Sequence, residues 1–435
     1  MKILWVTNVP LPEASFLINE EPVPYGGWLI NTAAQLSLQS GISLEVAFPK
    51  KNIKTMIELK GEKINYFIFP TLDLLDKEMI VENPFLMEII TQSNPDMVHI
   101  FGTEYVHSLA TVNICSKKNI KSVISIQGLV SVISRHYTVG LPKDRIKKSS
   151  FRDFIRKDNI FNQQKKFAER GRYEIEAIKN VPHIIGRTVW DRACISFINQ
   201  DVQYHHCNET LRNSFYDHKW EIDNCEKYSI FISQGSYPIK GLHFMIEALA
   251  LVIGDFPEAK LYIGGTDIIK SFTLSDRLRI SSYGKYIKEL ISKHKLENHV
   301  IFTGLLDERH MCQRYLKSHV FVCPSTIENS PNSLGEAMML GLPIVASNVG
   351  GISDLLTHKE EGFLYQSDAP YMLAFYICEI FRNEEIALDF SEKARIKAMM
   401  THDKEKNHKR LLEIYQCIIE EDKVQEKGEF YESIG

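Results

Sequence analysis

The sequence predicts an α/β protein of two Rossmann-like, doubly wound parallel-sheet domains with a cleft between them. Three observations carry that expectation. The chain has 435 residues, more than one ordinary core accommodates and suited to two domains of roughly 200 residues each. Short apolar runs alternate with stretches of helical spacing from end to end, the pattern of strands covered on both faces. The alternation then begins again after a polar patch between Asp217 and Lys227.

In the first half, 2–7, 43–48, 97–101, 122–126 and 182–186 read as buried strands, with helices over 28–39 and 106–118. In the second, 228–233, 259–264, 299–303, 319–323 and 343–346 read as strands, and helices fit 241–253, 285–295, 307–317, 333–340 and 370–382. A charged helical stretch over 384–421 and a polar tail follow. The expected division is 1–219 and 220–400, with the linker near Trp220. Residues 401–435 form a helix and tail, one placement of which crosses back to the first domain.

Composition narrows the class. Hydrophobic residues make up 44% and charged residues 24%, as in ordinary globular proteins. A net charge of -4 gives no global attraction to nucleic acid. The eight cysteines, Cys115, Cys194, Cys207, Cys225, Cys312, Cys323, Cys378 and Cys417, form no C-x-x-C pair and predict reduced thiols. The opening Ile3-Leu4-Trp5-Val6 is a four-residue apolar run followed by polar groups and Pro10. It reads as a first strand and not as a signal peptide. No run approaches the ~18 apolar residues of a membrane span, so the expected location is cytoplasmic, and the sequon at Asn208-Glu209-Thr210 carries no meaning.

Ligands of parallel sheets bind outside the carboxyl ends of the strands, so the loops after strands hold the candidate chemistry. Residues 319–351 place a strand end near Cys323, a loop with Glu328, a helix opening near Ser333, and Glu336 in its first turn. A helix start offers unpaired amides and a positive dipole end, a ready site for a diphosphate. Glu336 one turn in is placed to accept from a ribose diol, and Glu328 to reach sugar hydroxyls. Ser333-Leu334-Gly335-Glu336 equally fits a capping box, and Glu328 an exposed loop carboxylate.

This segment resembles the signature of the family 4 retaining glycosyltransferases of bacterial surface-polysaccharide type, which have the GT-B fold. The resemblance rests on Glu328, Glu336, Ala337 and Gly341-Leu342-Pro343-Ile344-Val345-Ala346-Ser347 in register. It implies that Glu328 faces the donor sugar and Glu336 the ribose, with the amides of Asn332, Ser333 and Leu334 on the diphosphate. Ser233-Gln234-Gly235-Ser236-Tyr237-Pro238-Ile239-Lys240-Gly241 resembles the family's strand, loop and Lys-Gly. There Lys240 would stabilise the leaving diphosphate, with Gly235 nearby. The family usually carries an Arg where Gln234-Gly235 stands. Gly304 and Leu305, after the strand 299–303, match its position near the base. In the first domain, Tyr25-Gly26-Gly27-Trp28 resembles its glycine loop, which brings Gly27 to the donor.

For the acceptor, Glu104 lies just past the strand 97–101, and His99 within that strand reads as a buried structural histidine. Gln127 stands where many members place His or Asp, and Gln cannot act as a base. Arg187 is placed either to meet phosphate or acceptor or to pair with Asp191. Residues 141–172 contain eleven Lys or Arg and four Asp or Glu, with Phe151, Phe154, Ile155, Phe161 and Phe167 interleaved. They read either as a helix packing its apolar side on the core or as a peripheral contact with the inner face of a membrane.

The expectation is a retaining glycosyltransferase, hexosyltransferase-like, moving a sugar from a nucleotide-diphosphate sugar, a UDP-sugar, to a glycan or lipid-linked acceptor. It needs no cofactor and no essential metal, since no Asp-x-Asp cluster stands in a strand-end loop. The alternatives are another nucleotide-sugar enzyme such as an epimerase, or a non-catalytic sugar-binding protein. An NAD-dependent oxidoreductase would want a G-x-G-x-x-G after a strand, and Asn8-Val9-Pro10 follows the first strand instead.

Overall fold

The computed structural model describes residues 1–23, 26–72, 74, 77–271 and 273–432. They form fourteen strands in chain order. The first eight are β1 (Lys2–Val6), β2 (Ser43–Lys50), β3 (Ile57–Lys60), β4 (Asn65–Pro70), β5 (Met97–Phe101), β6 (Lys121–Ser125), β7 (His183–Gly186) and β8 (Gln203–His206). The remaining six are β9 (Ser229–Ile232), β10 (Lys260–Gly264), β11 (Val300–Gly304), β12 (Val320–Cys323), β13 (Ile344–Ser347) and β14 (Phe363–Tyr365). They make two sheets, ordered β3-β4-β2-β1-β5-β6-β7-β8 and β11-β10-β9-β12-β13-β14. Every pairing is parallel except β3 with β4.

The strands read from apolar runs sit within a residue or two of their expected places. Those not anticipated are mostly sheet edges. β3 and β8 border the first sheet and β14 the second. An edge strand has a neighbour on one side only, so β3 (Ile-Glu-Leu-Lys) and β8 (Gln-Tyr-His-His) carry no apolar run. β4 does hold one, Tyr66–Phe69, which periodicity alone does not separate from a helix segment.

The chain divides into two compact units: Met1–Val130, Arg170–Thr210 and Asp403–Gly435 in one, Ser131–Glu169 and Leu211–His402 in the other. This differs from a linear cut at 219. Trp220 is a core residue of the second unit, 2% exposed. Its backbone N–H donates to the Leu340 carbonyl at 2.7 Å and its indole N–H to the Ser318 carbonyl at 2.8 Å. Residues 131–169 pack with the second unit because polar ties hold them there. His243 Nε2 lies 3.0 Å from the Val139 carbonyl, and Thr326 Oγ1 donates to the His136 carbonyl at 3.1 Å.

The terminal charged stretch is two helices, Glu384–Thr401 and Lys404–Glu432. The second belongs to the first unit, where Leu411, Ile414, Tyr415 and Ile418 are buried with Trp5 and Phe101. Tyr415 closes a hydrogen-bond chain. Trp5 Nε1 can only donate, and it does so to Tyr415 Oη at 3.0 Å. The Tyr415 hydroxyl is also hydrogen-bonded to His99 Nδ1 at 2.6 Å, and His99 Nε2 to Ser125 Oγ at 2.7 Å. Burial depresses the His99 pKa to about 3, so the ring is neutral and structural.

Tyr415→Phe should strand both Trp5 Nε1–H and His99 Nδ1 in the core. At about 1–3 kcal/mol for each buried unsatisfied group, the variant is expected to unfold at distinctly lower urea, read by tryptophan fluorescence. An unchanged midpoint would mean the chain contributes nothing.

Candidate active site

In the second sheet β9 lies between β10 and β12: the chain runs from β9 outward through β10 and β11 on one side, then crosses to β12 on the other. That switch point opens a crevice at the carboxyl ends of β9 and β12. The loop after β9 ends in the 3-10 turn Pro238–Lys240. The loop after β12 carries Glu328 and leads into the helix Asn332–Leu340.

Two glycines let these loops close on each other. Gly241 has φ +67, and a Cβ there would stand 1.8 Å from the Pro324 carbonyl oxygen. Gly350 has φ +54, and its Cβ would stand 1.9 Å from the Glu328 carbonyl oxygen, which accepts from Gly351 N–H at 3.1 Å. No L side chain fits either place. Thr326 N–H donates to the Ile239 carbonyl at 2.8 Å, and Ser347 Oγ to the Ser325 carbonyl at 2.6 Å. So fixed, Lys240 Nζ donates to Glu328 Oε1 at 2.5 Å, and Ser325 Oγ donates to the same oxygen at 2.7 Å. Burial opposes charge on Lys240, but the facing Glu328 carboxylate outweighs it and holds the ammonium above the usual lysine range.

The helix starts at Asn332, one residue before the expected Ser333, after Pro331 and with no side-chain cap. The capping box is therefore absent. Glu336 instead takes a bidentate ion pair from Arg212, with Nε at 2.6 Å and Nη2 at 2.8 Å. Burial disfavours the Arg212 charge, yet Glu336 holds its pKa above the ordinary value. Of the three amides expected at the diphosphate, Leu334 N–H is used inside the first turn, donating to the Pro331 carbonyl at 2.9 Å. Sequence reading did not find Arg212, which lies 124 residues before Glu336 and carries no motif of its own.

The other second-unit candidates differ in kind. Gly235 is a packing glycine, since a Cβ there would meet Leu242 and Ile263 side chains at 2.9 and 3.0 Å. Gly304, at φ +77, ends the edge strand β11, where its carbonyl accepts from Gly265 N–H at 3.0 Å. Leu305 follows it, 72% exposed.

The first sheet has its own switch point, with β1 between β2 and β5. Asn8 follows β1 and Glu104 follows β5, and Asn8 Nδ2 donates to Glu104 Oε2 at 3.4 Å. Burial pushes the Glu104 carboxyl up to about 7, and the Glu174 charge adds to this against Arg170 and Asn8. Glu174 is itself buried, accepting from Thr103 Oγ1 at 2.6 Å and Val130 N–H at 2.8 Å.

Arg187 has a different partner from the one weighed in the sequence. Its Nη1 donates to Glu209 Oε2 at 2.6 Å, and Gln127 Nε2 donates to Glu209 Oε1 at 2.6 Å. Asp191 is occupied by the Arg187 backbone N–H and the Tyr204 hydroxyl. Glu209 was missed, although it too follows a strand end, that of β8. Arg187 and Glu209 line a cavity within this unit together with Trp28, Phe101 and Thr210, and Arg187 Nε and Thr210 Oγ1 are buried there without partners. Gly27 opens the helix Gly27–Leu38 behind Gly26 at φ +81; Tyr25 lies outside the described residues. Among the described residues no group of three or more His, Cys, Asp or Glu could hold a metal ion.

Comparison with known proteins places the fold. The whole chain superposes on a sucrose-phosphate synthase from Thermosynechococcus elongatus with a TM-score of 0.70 at 16% identity, covering 96% of this chain and 98% of that one. It superposes on Anabaena HepE, solved in complex with UDP and glucose, with a TM-score of 0.66 at 16% identity, covering 96% and 99%. Two parallel-sheet units of this kind are the GT-B fold.

More particularly, residues 213–397 match the family described as "Glycosyl transferases group 1". The putative glycosyltransferase YtcC of Bacillus subtilis (strain 168) is 27% identical over 208 residues, 47% of this chain and 48% of that protein. N-acetyl-alpha-D-glucosaminyl L-malate synthase of Bacillus anthracis is 26% identical over 137 residues, 32% and 35% of the two chains. The alignments thus span about half or less of these relatives' lengths.

The Glu104 environment sets a pH dependence. A raised pKa means the folded state holds the proton more tightly than the unfolded chain. The stability this lends is full below about 4.5 and falls as pH rises toward about 7. Glu104→Gln should flatten the change in urea midpoint over that interval, and an unaltered slope would assign the effect elsewhere.

Proposed function

We propose that this protein is a retaining glycosyltransferase that moves a sugar from a nucleotide-diphosphate sugar to a glycan or lipid-linked acceptor. The observation that carries the reading is the Lys240–Glu328 pair at the switch point of the second sheet, in the loop that runs into an uncapped helix start. That arrangement sets a cation and the amide end of a helix where a diphosphate leaves, and a carboxylate where the sugar hydroxyls lie. The match of 213–397 to a glycosyl transferase family supports it.

The residues then take these roles. Lys240 and the amides of Asn332 and Ser333 neutralise the departing diphosphate, and Glu328 orients the sugar. Glu336, its geometry fixed by Arg212, has lone pairs left for the ribose hydroxyls. Gly304 and Leu305 complete the donor-binding set of the second unit, with Leu334 packed beneath the helix start; Gly235 acts there only by letting its loop pack on Leu242 and Ile263, and Gly27 opens a helix of the first unit. In the first unit, Glu104, Gln127 and Arg187 serve the acceptor, the last two through Glu209. The C1–O bond to the diphosphate breaks as the acceptor oxygen bonds C1 on the same face, and the acceptor proton passes to a phosphate oxygen. No metal is required, because Lys240 and the helix dipole supply the positive charge. UDP is the expected nucleotide, polysaccharide synthesis the setting, the cytoplasm the place, and segment 141–172 the contact with the membrane's inner face.

A nucleotide-sugar panel screened by thermal stabilisation should single out one donor. With it, Glu328→Ala and Lys240→Ala should each lower turnover at least ~tenfold with folding intact, and EDTA should leave the wild type unaffected. Near-normal turnover in both variants would remove the site assignment. Donor conversion to an epimer without acceptor would favour the epimerase reading.

A further inference from the structure

The helix Phe151–Arg156 turns its apolar side outward. Ser150 caps it, accepting from Asp153 N–H at 3.1 Å while Asp153 accepts from Ser150 N–H at 3.1 Å. The same Asp153 carboxylate accepts from Ser282 N–H at 2.7 Å and from Arg152 Nη1 at 2.9 Å, and it is 1% exposed. Those bonds fix the helix rotation with its aspartate inward. Positions 151, 154 and 155 share the other face, and there Phe151, Phe154 and Ile155 are 56%, 77% and 63% exposed. The helix Leu274–Arg279 packs beside it and leaves Leu278 52% exposed. The core-packing reading of 141–172 fails at these three positions, although it holds farther along, where Phe167 packs on the core against Tyr137.

The charge around the stripe is predominantly basic. Residues 143–166 hold nine Lys or Arg against three Asp, and two of those aspartates are bound to Arg152. Lys147, Lys148, Arg156 and Lys157 stand exposed in or beside the first helix, and Arg277 and Arg279 on the second. A second copy of this face would set like charges against each other, whereas anionic headgroups complement it while the acyl region takes the phenylalanines. Among the described residues no helix is long and apolar enough to cross a membrane, so the contact is superficial.

We propose that this two-helix face docks on an anionic lipid surface, with Phe151, Phe154 and Ile155 seated at the headgroup boundary and the flanking basic side chains on lipid phosphates. This deepens the membrane-contact reading above and is independent of the sugar-transfer reading.

The test is co-sedimentation of the full chain with phosphatidylcholine vesicles, with and without phosphatidylglycerol. Binding should be at least ~tenfold stronger with the anionic lipid and fall with added salt. Phe154→Ser/Ile155→Ser should weaken it ~tenfold, and Lys147→Glu/Lys148→Glu should abolish the anionic preference. All four positions are solvent-exposed, so both variants should keep the wild-type thermal midpoint and its turnover on a soluble acceptor. Failure of the wild type to bind either vesicle, or wild-type binding by both variants, overturns the proposal. So does a lipid-free dimer that the serine variant dissolves, which would make the face a contact between copies. Vesicle binding needs no turnover, so its failure would leave the transferase reading untouched.

Discussion

A lysine and a glutamate 88 residues apart are held in contact because the backbones carrying them leave no room for a side chain between them. The Gly241 hydrogens face the Pro324 carbonyl, and the Gly350 hydrogens face the Glu328 carbonyl. With those approaches fixed, the two loops hold the ammonium and carboxylate within 2.5 Å of each other. Parting a largely buried ion pair is costly, since each charge would lose its partner without regaining full hydration. The position of the helix start follows from the same loop, so the cation, the carboxylate and the amide end of the helix are set by a single constraint.

The first unit obeys the same topological rule with a different electrostatic outcome. Its switch point also brings together two strand-end loops, yet Asn8 is neutral and cannot balance Glu104 as Lys240 balances Glu328. Burial therefore dominates and pushes the carboxyl toward neutrality. Glu209 shows the contrary case, sharing its two oxygens between Arg187 and Gln127. Along one end of the sheet the protein thus holds one carboxyl pushed up to about 7 by burial and another tied by hydrogen bonds from two side chains. Behind them, the helix Lys404–Glu432 supplies Tyr415, which completes the donor and acceptor needs of Trp5 and His99.

The sequence by itself determined the class of fold. Apolar runs of four to six residues cannot be left in water, and their alternation with helical spacing admits parallel sheets and little else. Glu328, Lys240 and Glu336 were legible as candidates because they stand in or just beyond loops that follow strands, and because the segments carrying them resemble a known glycosyltransferase signature. The edge strands β3, β8 and β14 were not, since a strand flanked on one side has less apolar surface to declare itself.

Tertiary structure alone decided the partners and the faces. Whether Glu336 capped its own helix or met a distant cation turned on Arg212, and Arg187 on Glu209. Such pairings depend on which loops a sheet order brings together, and sheet order is not written in local periodicity. The outward turn of Phe154 was equally undetermined. The spacing shows that 151, 154 and 155 share a face, but the direction of that face is set by where Asp153 finds the Ser282 amide. Local patterns fix what a segment can bury. Long-range contacts choose what it does bury, because only they fix the rotation of one element against another.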